Sequence, residues 1–107
     1  MMRGYTTIEQ SKKLAEILPI ESADMFYWCG DQIRLGSYRA MDKDLDIPAW
    51  SLAALLNALQ EVDNNIEFWS NHEDWYLTVA TLNDVYSNSL VDACVKMIEF
   101  LHKENLI

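Results

Sequence analysis

Residues 65–80 read NIEFWSNHEDWYLTVA. Two runs rich in aromatic and β-branched residues flank the polar stretch Asn71-His72-Glu73-Asp74. That composition is the signature of two strands joined by a four-residue hairpin loop. Pairing Ser70 with Trp75 sets Phe68 opposite Leu77 and Ile66 opposite Val79. Successive side chains of a strand alternate between faces, so those four apolar residues share one face. Glu67, Trp69, Tyr76 and Thr78 share the other.

Working upstream, residues 25–29 (MFYWC) are followed by Gly30-Asp31 and then by residues 32–35 (QIRL). Gly-Asp between two such runs signals a two-residue hairpin turn. That turn pairs Trp28 with Ile33 and Phe26 with Leu35 on one face. Met25, Tyr27, Cys29, Gln32 and Arg34 take the opposite face.

Three helical patterns surround the hairpins. The first runs over about 7–17, with Thr6–Glu9 or Thr7–Gln10 as capping box and Pro19 as terminator. Ile8, Leu14, Ala15 and Leu18 lie near one of its faces. Residues 21–24 fit one further turn. The second helix covers about 48–60, with Pro48 in the first turn, Ser51 as an alternative cap, and a stripe of Leu52, Leu55, Leu56 and Leu59. Residues 36–47 and 81–88 read as loops. Ser89 with Asp92 caps the last helix, whose stripe is Leu90, Cys94, Met97, Ile98 and Leu101. The expected order is αββαββα: an α+β fold in which the two β-hairpins form an antiparallel sheet packed by helices. The 107 residues make one domain, 1–107.

Composition narrows the function classes. Half of the residues are hydrophobic and four are tryptophan, as in a chain with a packed core. The net charge of −9 argues against phosphate-neutralising nucleic-acid binding and against docking on anionic membranes. It suits solubility, or attraction to a basic protein. No apolar run approaches the ~20 residues of a membrane helix. The N-terminal residues lack a signal-peptide core, so a cytoplasmic location is expected. Cys29 and Cys94 read as two buried thiols acting as small hydrophobes, ahead of a disulfide or a catalytic thiol.

Several constellations use residue types that carry chemistry. Asp42, Asp44 and Asp46 form a ladder resembling the start of a calcium loop. The template needs Gly at its sixth position and Glu at its twelfth, where Ile47 and Ala53 stand. The ladder therefore reads as the polar entrance to a helix, where negative charge is favourable. His72, Glu73 and Asp74 combine a base with two carboxylates, a candidate polar site, although these are also ordinary hairpin-loop residues. Cys29, Cys94, His72 and His102 lack the paired spacings of a zinc site. No glycine-rich phosphate loop, H-E-x-x-H or G-x-S-x-G motif occurs. No catalytic residue, metal ligand or cofactor is assigned. Trp69, Tyr76, Tyr27 and Met25 lie on the hairpin faces opposite the most apolar sets. They are filler if a further layer covers them, the preferred reading, and an interaction surface for a protein if none does.

Residues 6–14 (TTIEQSKKL), the Leu18-Pro19 corner, and residues 22–27, 47–56 and 90–101 together resemble a group of small uncharacterised proteins encoded by phage and other mobile elements of gut bacteria. The resemblance implies an accessory protein of the bacterial cytoplasm and transfers no functional residue. The leading expectation is a non-catalytic protein-interaction domain. Its rivals are an acidic inhibitor or nucleic-acid mimic directed at a basic host protein, and a small metal-dependent hydrolase.

Overall fold

The structure, a computed structural model, describes residues 4–79 and 84–107. Its elements are α1 (Ile8–Ala15), β1 (Met25–Trp28), β2 (Gln32–Leu35), β3 (Ile47–Ala49), α2 (Leu52–Val62), β4 (Ile66–Ser70), β5 (Trp75–Val79), β6 (Asp84–Ser87) and α3 (Leu90–Lys103). The fold is α+β. Each hairpin gains a third strand, and the two sheets stay separate, ordered β2-β1-β3 and β4-β5-β6.

Of the two capping boxes available to α1, Thr7 with Gln10 forms. The Thr7 hydroxyl accepts from Gln10 N–H, and the Gln10 side-chain oxygen accepts from Thr7 N–H, both at 3.0 Å. The same glutamine donates through Nε2 to Asp92 in the first turn of α3 at 2.6 Å. The helix ends at Ala15, short of the expected 17, and Ile17 and Leu18 both turn back to the Leu14 carbonyl. Pro19 is extended, and residues Ile20–Ser22 make a single 3-10 turn.

The first hairpin differs in register from the expectation. Cys29 and Gly30 both adopt left-handed backbone, with φ of 53° and 82°. The turn therefore spends three residues, and Trp28 pairs with Gln32, Tyr27 with Ile33 and Met25 with Leu35. A one-residue slip moves a whole side-chain set to the other face. Met25, Tyr27 and Ile33 thus join the core, while Trp28 and Arg34 lie outside, the guanidinium carbon 5.4 Å from the indole centroid. Phe26 is buried by Gly36 (φ 151°), where an added Cβ would stand 3.0 Å from the Phe26 ring.

The expected start of the second helix is a strand. A residue before proline prefers extended backbone, and proline is tolerated at sheet edges. Ile47, Pro48 and Ala49 obey both preferences and pair with Tyr27, Phe26 and Met25. The helix starts after Ser51, whose hydroxyl accepts from Ala54 N–H. Asp24 holds that cap, its carboxylate accepting from Ser51 N–H (2.9 Å) and from the hydroxyl.

Ala49 and Trp50 are both fully buried, and they belong to two different hydrophobic clusters. Ala49 sits with Met25 and Tyr27 beneath Tyr5 and Ile8. Trp50 belongs to the larger core with Leu14, Leu55, Leu59, Leu77 and Ile98. The N-terminal segment straps this junction. Thr6 N–H donates to the Trp50 carbonyl (3.0 Å), and Trp50 N–H donates to the Thr6 hydroxyl (3.2 Å).

The second hairpin has the expected register, Ser70 with Trp75 through Ile66 with Val79. Of the expected loop at 81–88, residues Asp84–Ser87 form β6 on the far side of β5, and 81–83 lie outside the described residues. Ala80, expected at the end of β5, lies outside them too. Helix α3 buries all five residues of its expected stripe and packs over β5 and β6. Thr6→Val keeps the shape of the strap but removes its hydroxyl. Urea denaturation should show a loss of ~1–3 kcal/mol, because the Trp50 N–H and Ser11 hydroxyl lose their partner.

Candidate functional site

The acid ladder is a turn clamped to the first hairpin. The Asp46 carboxylate accepts from Cys29 N–H at 2.8 Å and from Asp42 N–H at 2.9 Å. The Asp42 carboxylate accepts from Asp44 N–H at 2.9 Å, and the Asp42 carbonyl accepts from Asp46 N–H at 2.8 Å. Two of the three acids thus serve backbone N–H groups, an Asx-turn arrangement. Asp46 also supports the left-handed Cys29 that shifts the hairpin register. The ladder precedes β3, so its expected role as a helix entrance is replaced by a loop latch.

His72, Glu73 and Asp74 fill the tip of the second hairpin. Asn71 organises this turn: its side-chain oxygen accepts from Glu73 N–H (3.3 Å) and Asp74 N–H (3.0 Å). Its own N–H donates to the Asp74 carbonyl (3.2 Å). His72 takes positive φ of 88° at the exposed apex. Among the described residues, no three His, Cys, Asp or Glu side chains gather where they could hold a metal ion.

Both cysteines are free; Cys94 is buried as expected, whereas Cys29 is exposed, because it sits in the hairpin turn with positive φ. Burial pushes the Cys94 thiol up to about 12 from its ordinary 9.0, so it is protonated at neutral pH and a poor nucleophile. His102 lies in the last turn of α3, its Nδ1 3.4 Å from the Ile107 carbonyl oxygen.

The aromatic set changes membership. Met25 and Tyr27 are buried, 9% and 7% exposed, in line with the preferred filler reading, and drop out of the possible interaction surface. The register slip explains this, and the Tyr27 hydroxyl donates inward to the Thr6 carbonyl at 2.6 Å. Trp69 and Tyr76 remain on the outer face of the second sheet and gain Tyr86 from β6. Register places the three in one row across the strands. Trp69 and Tyr76 stack with centroids 5.5 Å apart and planes 7° from parallel. Tyr86 follows at 5.8 Å and 31°. Trp69 is 44% and Tyr86 59% exposed, so among the described residues no further layer covers these two rings, and Trp69 departs from the filler reading. The neighbouring row on the same face is Glu67, Thr78 and Asp84, with the Thr78 hydroxyl donating to the Asp84 carboxylate.

Tyr86 falls in the stretch 81–88, whose local pattern reads as a loop. The alternation Asp84-Val85-Tyr86-Ser87, with Val85 against the core, is the signal that marks it. Phe68 also differs from expectation. It shares the inner face with Leu77, but α3 lies over β5 and β6 and leaves this β4 ring 47% exposed.

A further concavity of about 380 Å³ lies between the α1–Pro19 corner, α2 and the chain end, lined mainly by Ile17, Leu18, Ala58 and Ile107. Glu61 and Ser22 are its polar lining residues, and the Ser22 hydroxyl already accepts from Trp50 Nε1. The lining holds no nucleophile–base pair. Acids occur along the whole chain, and Asp24, Asp42, Asp46 and Asp63 accept backbone hydrogen bonds.

Compared with protein-family models, curated proteins and solved structures, the chain matches none of them.

Two outcomes are expected from the thiols. Under native conditions a colorimetric thiol reagent should react rapidly with Cys29 alone, and with Cys94 only after denaturation. Folded Cys94 keeps a proton that the unfolded chain releases above pH 9, so its contribution to stability is lost as pH rises from 9 towards 12. Urea denaturation across that range should show a pH slope shallower in Cys94→Ala than in the parent, by up to ~1.4 kcal/mol per pH unit.

Proposed function

We propose that the chain is a small non-catalytic protein-interaction domain whose contact surface is the outer face and open edge of the second sheet. The observation that carries this reading is the row Trp69–Tyr76–Tyr86, aligned across three strands and partly open to solvent. Aromatic side chains are enriched at the centres of protein interfaces and supply large contact area with few rotatable bonds. Phe68 adds an exposed ring on the other side of the same edge strand. The acid-rich surface favours a basic partner over nucleic acid or anionic membrane. No helix among the described residues is long and apolar enough to cross a membrane, and we place the protein in the bacterial cytoplasm as an accessory component.

Trp69→Ala and Tyr86→Ala separate binding from folding, because both side chains lie outside the core. Each should cost at most ~1–2 kcal/mol of stability in urea denaturation. In affinity capture from bacterial lysate, both should lose a partner that the parent chain retains. Retention of every captured partner by the double variant would remove the row from the contact surface.

A further inference from the structure

The chemistry of the partner can be read from the edge of the second sheet, given the interaction reading above. Among the described residues, strand β4 pairs with β5 on one side and with no strand on the other. At the turn, Asn71 N–H bonds the Asp74 carbonyl. Antiparallel ladders alternate bonded and non-bonded pairs, so the peptide groups of Trp69 and Glu67 face β5. Those of Phe68 and Ser70 face outward, while Ile66 N–H turns back to the Asn64 carbonyl at 3.1 Å. An open edge of this kind accepts an added strand. The lysine and proline that commonly block such edges are absent from Ile66–Ser70.

The two ends of the aromatic row differ. At the β6 end, Lys96 Nζ stands 5.7 Å from the Tyr86 ring centroid and donates to the Tyr86 carbonyl at 2.9 Å. That end already carries a cation. At the β4 end, Trp69 stacks on Tyr76 and presents its remaining surface at the open edge. Tryptophan is the strongest cation–π ring among the side chains. Glu67 is exposed on the same face of β4, two residues or ~7 Å along the strand. A cationic side chain on a strand laid beside β4 meets the indole and this carboxylate together. On the opposite face, the same strand meets the exposed ring of Phe68.

The geometry points to a partner segment that docks as an added strand on β4, with Arg or Lys alternating with apolar residues. Its cations lie against Trp69 and Glu67, its apolar side chains against Phe68, and its backbone bonds the peptide groups of Phe68 and Ser70. The net charge of −9 draws such a segment in. A second copy of β4 is a poorer occupant, because Ile66–Ser70 carries an acid and no cation.

Blocked hexapeptides alternating Arg with Val, Gln with Val and Glu with Val test this by isothermal titration into the full chain. The Arg/Val peptide should bind at one site. Trp69→Leu should weaken it about 2- to 30-fold, the range of a cation–π contact. Glu67→Gln should weaken it several-fold, and N-methylation of alternate peptide nitrogens should abolish binding. Glu9→Gln/Glu16→Gln on α1 should leave it unchanged. Equal binding of the Gln/Val peptide overturns the cationic partner while leaving the interaction surface standing. No binding by the Arg/Val peptide, or equal weakening by the α1 variant, overturns the inference, as does a sedimenting dimer that Trp69→Leu dissolves. The surface itself fails only if partner capture ignores Trp69→Ala and Tyr86→Ala.

Discussion

Thr6 uses its N–H, its carbonyl and its hydroxyl to hold three parts of the chain in one place. Its N–H and hydroxyl both engage the backbone of Trp50, its carbonyl accepts from the Tyr27 hydroxyl, and its hydroxyl pairs with that of Ser11 at 2.7 Å. All of this is buried. A buried polar group left without a partner costs ~1–3 kcal/mol, so such a node tolerates one arrangement of its neighbours. It draws the N-terminal segment alongside residues 50–52, directly after β3, with the bridge Tyr5–Ser51 and the bond from Leu52 N–H to the Gly4 carbonyl completing the strap.

The strap also fixes Trp50. Its indole is fully buried, donates to the Ser22 hydroxyl at 2.9 Å, and packs in the cluster that α2, α3 and β5 share. Ala49, one residue earlier, closes the smaller cluster under the first sheet. Two three-stranded sheets thus remain distinct while their cores meet at consecutive residues. The consequence for function is an asymmetry of exposure. The first sheet turns Met25 and Tyr27 inward, while the second is covered by α3 on one face and keeps its outer face and β4 edge accessible.

Much of this was legible in the residues. The second hairpin was readable to the pair because its apolar alternation and four-residue polar loop agree on a single register. Helix α3 was readable because Ser89 and a long stripe mark both its start and its buried face. The first hairpin was not, since Gly30-Asp31 fits a two-residue turn as well as the three-residue turn that Cys29 makes by adopting positive φ. What tipped it is the Asp46 carboxylate, 17 residues away, holding Cys29 N–H. Pro48 was ambiguous in a similar way: its fixed φ suits a first helical turn and an edge strand alike. Pairing with β1 and the Asp24-supported cap at Ser51 chose the strand.

By itself the sequence determined the α+β class, the three helices, both hairpins and a net charge of −9. These follow from local pattern, capping chemistry and composition, which need no knowledge of distant neighbours. Tertiary structure alone decided which aromatic residues face water. That choice depends on a one-residue register, on a third strand contributed by Asp84–Ser87, and on how far α3 reaches across β5 towards β4. Each is set by contacts between segments remote in the chain. The row of Trp69, Tyr76 and Tyr86, with Lys96 at one end and an open edge at the other, exists only once those contacts have formed.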